Sequence, residues 1–313
     1  MENKIAIIDM GTNTFHLLIA EGGDKGYNII QRDRLAVKIG KGGINQSIIT
    51  GEGLHRALVA MQTFKNTIEK QRIRTVYAFG TSALRNAKNG LDVADKIKTI
   101  TGIDVNVISG SQEAEFIYYG VQSALDMGRE KNLIMDIGGG SVEFIIGNND
   151  EIFWKESFEI GAQRLLERFQ KHDPIAPDEI TDLDNFFDEA LKPLFNAISV
   201  HKPSVLVGSS GTFDTLSDIF CLKHDIHKTS EEIETPLSIE GFYEIYKDLL
   251  TRNRAERLQM PGMIEMRVDM IVVACCLVRY LLEKHDFNRI RVSTYSLKEG
   301  VLAHLSKKIS TVA

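Results

Sequence analysis

The chain has 313 residues, of which 43% are hydrophobic and 26% are charged, as is typical of soluble globular proteins. At roughly 150 residues per domain, this length predicts about two domains. The net charge of −6 argues against a nucleic-acid partner, because nucleic-acid binders carry a basic surface. We also expect no membrane partner, because no apolar run is long enough to span a bilayer. We expect a cytoplasmic location, because Asp9 interrupts any signal-peptide core and the three cysteines match no disulfide pattern.

Strand-like and helix-like segments alternate along the first part of the chain, which predicts an α/β fold. The predicted strands are 4–9, 14–21, 27–39, 75–79 and 105–108. Helices are predicted at 52–71 and 93–100, and from about 109 to 125. Ser109 and Gln112 have the spacing of a capping box at the start of the last of these helices.

The same alternation continues through the rest of the chain. Strands are predicted at 133–136, 143–146, 151–157, 205–208 and 290–293. Helices are predicted at 162–170, 178–197, 212–220, 239–250, 268–283 and 297–305, with a polar loop at about 222–235. We expect one domain at 1–125 with the C-terminal helix 296–313, and a second domain at 126–295.

A strand–turn–strand pattern occurs twice in the chain. Residues 8–14 read Ile-Asp-Met-Gly-Thr-Asn-Thr, and residues 135–141 read Met-Asp-Ile-Gly-Gly-Gly-Ser. Glycine lets the backbone approach a ligand, successive N–H groups in a tight turn bind anions, and a strand-end Asp is a suitable oxygen ligand for Mg²⁺. Two ordinary hairpins are the alternative, but they would leave both Asp charges near a buried sheet without a partner, which is costly. The repeat therefore predicts two related halves that bind one polyanion.

These paired turns resemble the phosphate loops of the actin, Hsp70 and sugar-kinase superfamily. The wider set of motifs resembles the exopolyphosphatase and guanosine-pentaphosphate phosphohydrolase (Ppx/GppA) family. The segments that carry the resemblance are 9–16 (DMGTNTFH), 80–85 (GTSALR), 108–114 (ISGSQEA), 136–143 (DIGGGSVE) and 208–212 (GSSGT), with weaker matches at 161–165 and 260–269. The resemblance implies two duplicated actin-like (ribonuclease H-like) α/β domains with an interdomain cleft.

The resemblance also implies a role for each candidate site residue. Glu113 would orient and deprotonate the attacking water, and Arg85 would hold a phosphate. Asp136, Asp9 and Glu143 would bind Mg²⁺ or another divalent cation. Phosphate would be bound by residues of three loops, namely Thr12, Asn13, Thr14, Gly138, Gly139, Gly140, Ser141, Ser210, Gly211 and Thr212.

Most of these positions have a simpler structural alternative. Glu113 could only complement a helix dipole, Arg85 could lie on the surface of a short helix, and Glu143 could face solvent. The 210–212 loop could only cap a helix, and His16 is expected to pack within its strand. A surface or ion-pair role is favoured over an anion path for five basic residues, namely Lys38, Lys41, Lys88, Arg164 and Arg267.

The predicted reaction is the release of terminal phosphate from inorganic polyphosphate or guanosine pentaphosphate. Two alternatives stay open: an ATP-dependent kinase or ATPase of the same superfamily, and a catalytically silent sensor of a phosphorylated nucleotide. The chain has no Gly-x-x-x-x-Gly-Lys-Ser/Thr sequence, which excludes a P-loop enzyme, and its histidines lack zinc-site spacing. The sequence does not choose between the two substrates, and it leaves a homodimer open.

Overall fold

The computed structural model describes residues 4–23, 26–229 and 231–310, which divide into two compact units. The first unit contains the described residues up to Gly120 and those from Leu297 onward, and the second runs from Val121 to Ser296. The domain limits expected from the sequence, which place the junction at 125/126, stay a prediction about which segments fold independently.

The first unit is built on a five-stranded mixed sheet of order β3-β2-β1-β4-β5. Its strands are β1 (Lys4–Met10), β2 (Thr14–Gly23), β3 (Gly26–Ala36), β4 (Thr75–Gly80) and β5 (Val105–Val107). Its helices are α1 (Gly51–Lys70), α2 (Ser82–Asn86), α3 (Gly90–Thr101), the larger part of α4 (Gly110–Ala124) and α12 (Leu297–Ser310). Strands β1, β2 and β3 are antiparallel, whereas β1, β4 and β5 are parallel.

The second unit is built on a six-stranded sheet of order β10-β11-β9-β6-β7-β8. Its strands are β6 (Asn132–Ile137), β7 (Val142–Gly147), β8 (Ile152–Phe158), β9 (Val205–Ser209), β10 (Glu234–Thr235) and β11 (Arg289–Ser293). Its helices are α5 (Ala162–Phe169), α6 (Pro177–Ala190), α7 (Lys192–His201), α8 (Ser210–Lys223), α9 (Ile239–Thr251), α10 (Arg254–Leu258) and α11 (Ile271–Lys284).

The two sheets share one topology. The order β3-β2-β1-β4-β5 corresponds to β8-β7-β6-β9-β11, with an antiparallel meander on one side and parallel strands on the other, and β10 is an addition to the second sheet. Each glycine turn joins the central strand of its sheet to the neighbouring antiparallel strand. The predicted duplicated, actin-like α/β fold is confirmed.

Burial of apolar side chains explains why these segments form their elements. In α1, Met61, Phe64 and Ile68 are buried on one face, and the Thr50 hydroxyl caps the helix by accepting from Gly53 N at 3.1 Å. Strands β6 and β7 are buried along their whole length, as expected for strands covered on both faces. No helix in the described ranges is long and apolar enough to cross a bilayer.

The structure differs from the predicted elements in several places, which include the short helix α2 and the end of β3 at Ala36. The single helix predicted at 178–197 is wrong: it is two helices, α6 and α7, because Pro193 lacks an N–H and cannot continue a helix that began upstream. Helix α11 begins at Ile271, later than the predicted start at residue 268. The short helix α10 had no predicted counterpart, and the predicted loop at 222–235 contains the end of α8 and the short strand β10.

Candidate functional site

The first glycine turn connects β1 to β2 and is closed by a hydrogen bond from Gly11 N to Thr14 O, at 3.1 Å. Its three hydroxyl and amide side chains are buried, with exposures of 3% for Thr12, 5% for Asn13 and 7% for Thr14. The loop after β3 donates hydrogen bonds to the carbonyls of this turn. These bonds are Gly40 N to Thr12 O at 3.2 Å, and Val37 N and Lys38 N to Asn13 O at 2.9 Å each.

The second glycine turn connects β6 to β7 in the same way, with a hydrogen bond from Gly138 N to Ser141 O at 3.0 Å. The segment that begins α5 donates to every carbonyl of residues 138–140. These bonds are Ala162 N to Gly138 O at 2.9 Å, Gln163 N to Gly139 O at 2.9 Å, and Gly161 N and Arg164 Nε to Gly140 O at 3.2 and 2.8 Å.

These carbonyl contacts fix the direction of the N–H groups in both turns. In a planar trans peptide, the C=O of one residue and the N–H of the next point in opposite directions. The N–H groups of Gly139, Gly140 and Ser141 therefore point away from α5. Those of Asn13 and Thr14 point away from the loop after β3. Each turn thus presents successive N–H groups on one side, which is the arrangement that binds anions.

The hydroxyl of Thr12 is the clearest sign that the first turn is built for a ligand. Within residues 4–23, 26–229 and 231–310, Thr12 Oγ1 is buried and no group forms a hydrogen bond with it. A buried hydroxyl without a partner costs about 1–3 kcal/mol, so native structures rarely keep one without a reason. A phosphate oxygen could supply the missing partner.

Beside each turn, two titratable residues lie opposite each other on neighbouring antiparallel strands. Asp136 is directly opposite Glu143 in the β6–β7 register, and Asp9 is opposite His16 in the β1–β2 register. Because each pair has the same spacing in sequence, the repeat extends beyond the residues that define the turns. The expectation that His16 simply packs in the strand is incomplete, since it is partly exposed and its strand partner is Asp9.

Serine hydroxyls donate to the carboxylates of Asp136 and Glu143. Ser209 Oγ donates to Asp136 Oδ2 at 3.1 Å, and Ser157 Oγ donates to Glu143 Oε1 at 2.7 Å. Asp136 is 6% exposed and Glu143 is 1% exposed, so Glu143 does not face solvent. These bonds orient two buried carboxylates that would otherwise repel each other across the strands.

The three expected metal ligands belong to two units, with Asp136 and Glu143 in the second and Asp9 in the first. Among the described residues, no three or more His, Cys, Asp or Glu side chains are grouped as a metal site requires. The second unit brings two carboxylates together, whereas Asp9 belongs to the first unit. Such a pair is the kind of donor set that Mg²⁺ uses, because Mg²⁺ keeps several waters and binds one or two carboxylates together with substrate phosphates.

Arg85 and Glu113 form a largely buried ion pair within the first unit. Arg85 Nη1 lies 2.6 Å from Glu113 Oε2, and the two side chains are 16% and 9% exposed. Arg85 Nη1 also donates to Ile108 O at 3.2 Å. Arg85 therefore does not lie free on the surface of its short helix, and its catalytic role, like that of Glu113, stays a prediction.

The predicted capping box positions Glu113 at the start of α4. Gln112 N donates to Ser109 Oγ at 3.2 Å, and Ser109 N donates to Gln112 Oε1 at 3.1 Å. This confirms the predicted cap and fixes the first turn of the helix. The neighbouring Glu115 has a different partner, since Tyr119 Oη donates to its Oε1 at 3.1 Å.

The third candidate loop connects β9 to α8. Ser210 has a φ of +73°, a conformation that is unusual for a residue with a side chain, and Thr212 is buried. A Cβ at Gly211 would displace the guanidinium of Arg267, which lies directly against the glycine backbone. The Ser209 bond to Asp136 links this loop to the second glycine turn.

Sequence reasoning missed the residues that hold the candidate site in place. Ser209 lies inside a recognised motif, and its small polar side chain beside a strand-end Asp was a usable signal. Ser157 gave no signal, because the antiparallel register that places it opposite Glu143 cannot be read from its neighbours. The loop after β3 was missed for the same reason.

Two α/β units of one topology, each with a glycine turn that joins β1 to β2 or β6 to β7, define a protein of the actin-like class. The chain belongs to the Ppx/GppA phosphatase family, whose model matches residues 18–309. An exopolyphosphatase from Cytophaga hutchinsonii, known from a crystal structure, is 46% identical, with a TM-score of 0.95 and coverage of 97% of this chain and 98% of that one.

Two further proteins are similar to this chain. The Aquifex aeolicus member of the Ppx/GppA family is 24% identical and shares the fold, with a TM-score of 0.79 and 98% coverage of both chains. A guanosine-5'-triphosphate,3'-diphosphate pyrophosphatase from Pseudoalteromonas translucida is 27% identical over 301 residues. The match covers 96% of this chain but only 59% of that relative.

Proposed function

We propose that the protein hydrolyses the terminal phosphoanhydride of inorganic polyphosphate or guanosine pentaphosphate and releases phosphate. The observation that carries the proposal is the pair of turns whose N–H groups are directed away from their carbonyl contacts. The names of the relatives support the same chemistry: one is an exopolyphosphatase and another acts on guanosine pentaphosphate. Membership of a phosphatase family supports it independently of either substrate.

Phosphate binding is assigned to the three loops. Thr12, Asn13 and Thr14 would donate from the first turn, and Gly138–Ser141 would donate from the second. The Ser210–Thr212 loop would also donate to phosphate. It follows Ser209, whose hydroxyl donates to Asp136 on the strand that leads into the second turn. Backbone and hydroxyl donors neutralise no charge, so a polyanion also needs positive charge nearby.

Asp136, Glu143 and Asp9 are assigned to a divalent cation, with Mg²⁺ the first choice. The facing carboxylates of Asp136 and Glu143 fit this ion, because they concentrate negative charge in a buried place where a cation would offset their repulsion. When bound, the cation would neutralise charge on the phosphate oxygens. Ser209 and Ser157 would keep the two carboxylates oriented.

Glu113 is assigned as the general base that orients and deprotonates the attacking water. Its contact with Arg85 suggests how the base becomes available. A phosphate group that binds Arg85 competes with Glu113 for the same guanidinium, whose planar donors suit phosphate oxygens as well as a carboxylate. Phosphate binding would thereby release Glu113 to accept a proton from water, and Arg85 would hold the phosphate that is attacked.

The protein is assigned to the cytoplasm. Cys221, Cys275 and Cys276 are all buried and form no disulfide, which suits a reducing compartment. Burial raises the pKa of Cys276 to about 12, so its thiol stays protonated and unreactive.

Phosphate release from polyphosphate, guanosine pentaphosphate and ATP, each with and without Mg²⁺, tests the proposal. We expect release from at least one of the first two substrates, dependence on the cation, and slow release from ATP. Glu113→Gln should lower kcat by about 10²–10⁴ while substrate still binds. Glu115→Gln is the matched control on the same helix and should keep near-normal turnover. Strong preference for ATP, or binding without release by the wild type, would reject the proposed reaction.

A further inference from the structure

Arg164 contacts the second glycine turn from its carbonyl side. It lies in the first turn of α5, and its Nε donates to Gly140 O at 2.8 Å. Its Nη2 lies 3.2 Å from Glu159 Oε2, and the side chain is 13% exposed. Because the N–H groups of the turn point to the opposite side, this contact is on the side of the turn away from the proposed phosphate.

The backbone at the start of α5 packs directly against the backbone of the second glycine turn. A Cβ at Gly161 would overlap the carbonyl carbons of Gly139 and Gly140, so only glycine fits at the helix cap. Gly161 N and Arg164 Nε share the same acceptor, Gly140 O. The Gly140–Ser141 peptide is thus held by one neutral donor and one charged donor.

A charged donor on a carbonyl does more than fix its direction. Hydrogen bonds from a guanidinium are shorter and stronger than those between neutral groups, and they polarise the peptide that accepts them. Polarisation of the Gly140 carbonyl makes the N–H at the other end of that peptide, which belongs to Ser141, a stronger donor. The positive charge therefore reaches an anion through the peptide group.

We propose that Arg164 is a positioning residue for phosphate binding, which orients and polarises the Gly140–Ser141 peptide so that Ser141 N–H binds a phosphate oxygen. Arg164 does not itself touch the phosphate. The inference deepens the proposed function and rests on it, because the second turn must bind phosphate for Arg164 to matter in this way.

An arginine also stabilises the first turn, but it does so through the loop after β3 and does not contact the turn directly. Arg56 Nε donates to Val37 O and Arg56 Nη2 donates to Lys38 O, both at 2.7 Å. Val37 and Lys38 are the residues whose N–H groups bind Asn13 O. An arginine therefore stabilises the carbonyl side of each turn, directly in the second unit and through a loop in the first.

The test measures binding of inorganic tripolyphosphate by titration calorimetry, together with KM, kcat and melting temperature. We expect Arg164→Gln to weaken binding and raise KM severalfold, because Ser141 N–H becomes a weaker and less well oriented donor, with a smaller change in kcat. Arg164→Lys keeps the charge and should restore part of the affinity. Arg168→Gln is the control: it lies one turn further along α5, is exposed, and packs over Phe169 and Phe186.

Amide NMR adds a readout that a merely structural role would not change. The Ser141 amide resonance should move in Arg164→Gln and move less in Arg164→Lys. A lower melting temperature with unchanged affinity and KM in Arg164→Gln would overturn the inference. If the wild type binds tripolyphosphate but releases no phosphate from any substrate, the proposed reaction fails while the effect of Arg164 on binding can still be measured.

Discussion

Arg85 Nη1 and Glu113 Oε2 lie 2.6 Å apart, and the two side chains come from different helices, α2 and α4. The pair joins the residue proposed to hold phosphate to the residue proposed to activate water. Its burial makes each charge dependent on the other, because an isolated charge in such a place would lose most of its hydration. The stability of the first unit and the proposed catalysis are therefore linked through one contact.

A double-mutant cycle on this pair should show that dependence. Arg85→Gln removes the ion-pair partner of Glu113, and we expect the free energy of unfolding to fall by about 2 kcal/mol, less than for a fully buried pair because some solvent reaches both groups. Adding Glu113→Gln should restore part of that loss. Urea unfolding of the four proteins measures the coupling, and strictly additive effects would contradict it.

Thr12→Val should stabilise the phosphate-free protein and weaken substrate binding. The substitution removes a buried hydroxyl that has no hydrogen-bond partner among the described residues, so the free energy of unfolding should rise by about 1 kcal/mol. KM should rise because a proposed phosphate donor is lost.

Thr101→Val gives the opposite stability effect and serves as the control. Thr101 is equally buried, but its hydroxyl donates to Ile97 O at 2.7 Å and accepts from Ile103 N at 3.2 Å. Its loss should destabilise the protein with little effect on KM. Destabilisation by both substitutions would show that Thr12 has a partner that the unliganded fold supplies.

Glu143→Gln should separate the stability of the apo protein from cation binding. In the presence of EDTA we expect Glu143→Gln to keep a melting temperature close to that of the wild type, because Ser157 can still donate to the amide oxygen. If the proposed cation site is correct, Mg²⁺ should raise the melting temperature of the wild type, and Glu143→Gln should lose that increase. Glu156→Gln on β8 is the control and should keep that increase.

Glu179 should make part of the stability dependent on pH. Burial raises the pKa of Glu179, but hydrogen bonds from Ala176 N, Lys171 N, and the ring and N–H of His172 outweigh it and lower the pKa below 4.5. The ionised form therefore stabilises the fold above pH 4.5, and this contribution is lost as the pH falls through the folded-state pKa.

Urea unfolding at neutral pH and at steps below pH 4.5 measures this contribution. Glu179→Gln should be less stable than the wild type at neutral pH, and the difference should shrink as the pH falls. A difference that stays constant with pH would mean that Glu179 acts through packing alone.

The sequence predicted those features that depend on neighbouring residues. Strand alternation, the capping box at Ser109 and the repeated turns all follow from local chemistry, and each is present. The break at Pro193 was also readable, and the prediction of one helix across it gave too much weight to apolar spacing. The contact between Arg85 and Glu113 was not predicted, because the family resemblance gave each residue a role but did not pair them.

Contacts between distant segments could not be predicted. The donors to the turn carbonyls come from the loop after β3 and from the start of α5. The sequence of neither segment indicates which carbonyl it binds. The pairing of Ser157 with Glu143 depends on the register of β7 and β8, which packing decides. Arg164 was expected to favour a surface or ion-pair role, and its bond to Gly140 O emerges only from the fold.

The same type of hydrogen bond closes both turns, yet unlike elements donate to their carbonyls: an irregular loop in the first unit and the start of a helix in the second. Neither element contributes a residue to the turn beneath it. Substitutions in the loop after β3 or at the start of α5 would therefore change the affinity of one turn for phosphate without changing the N–H groups that donate to it. The strength of an anion site of this kind can therefore be changed by residues that the anion never contacts.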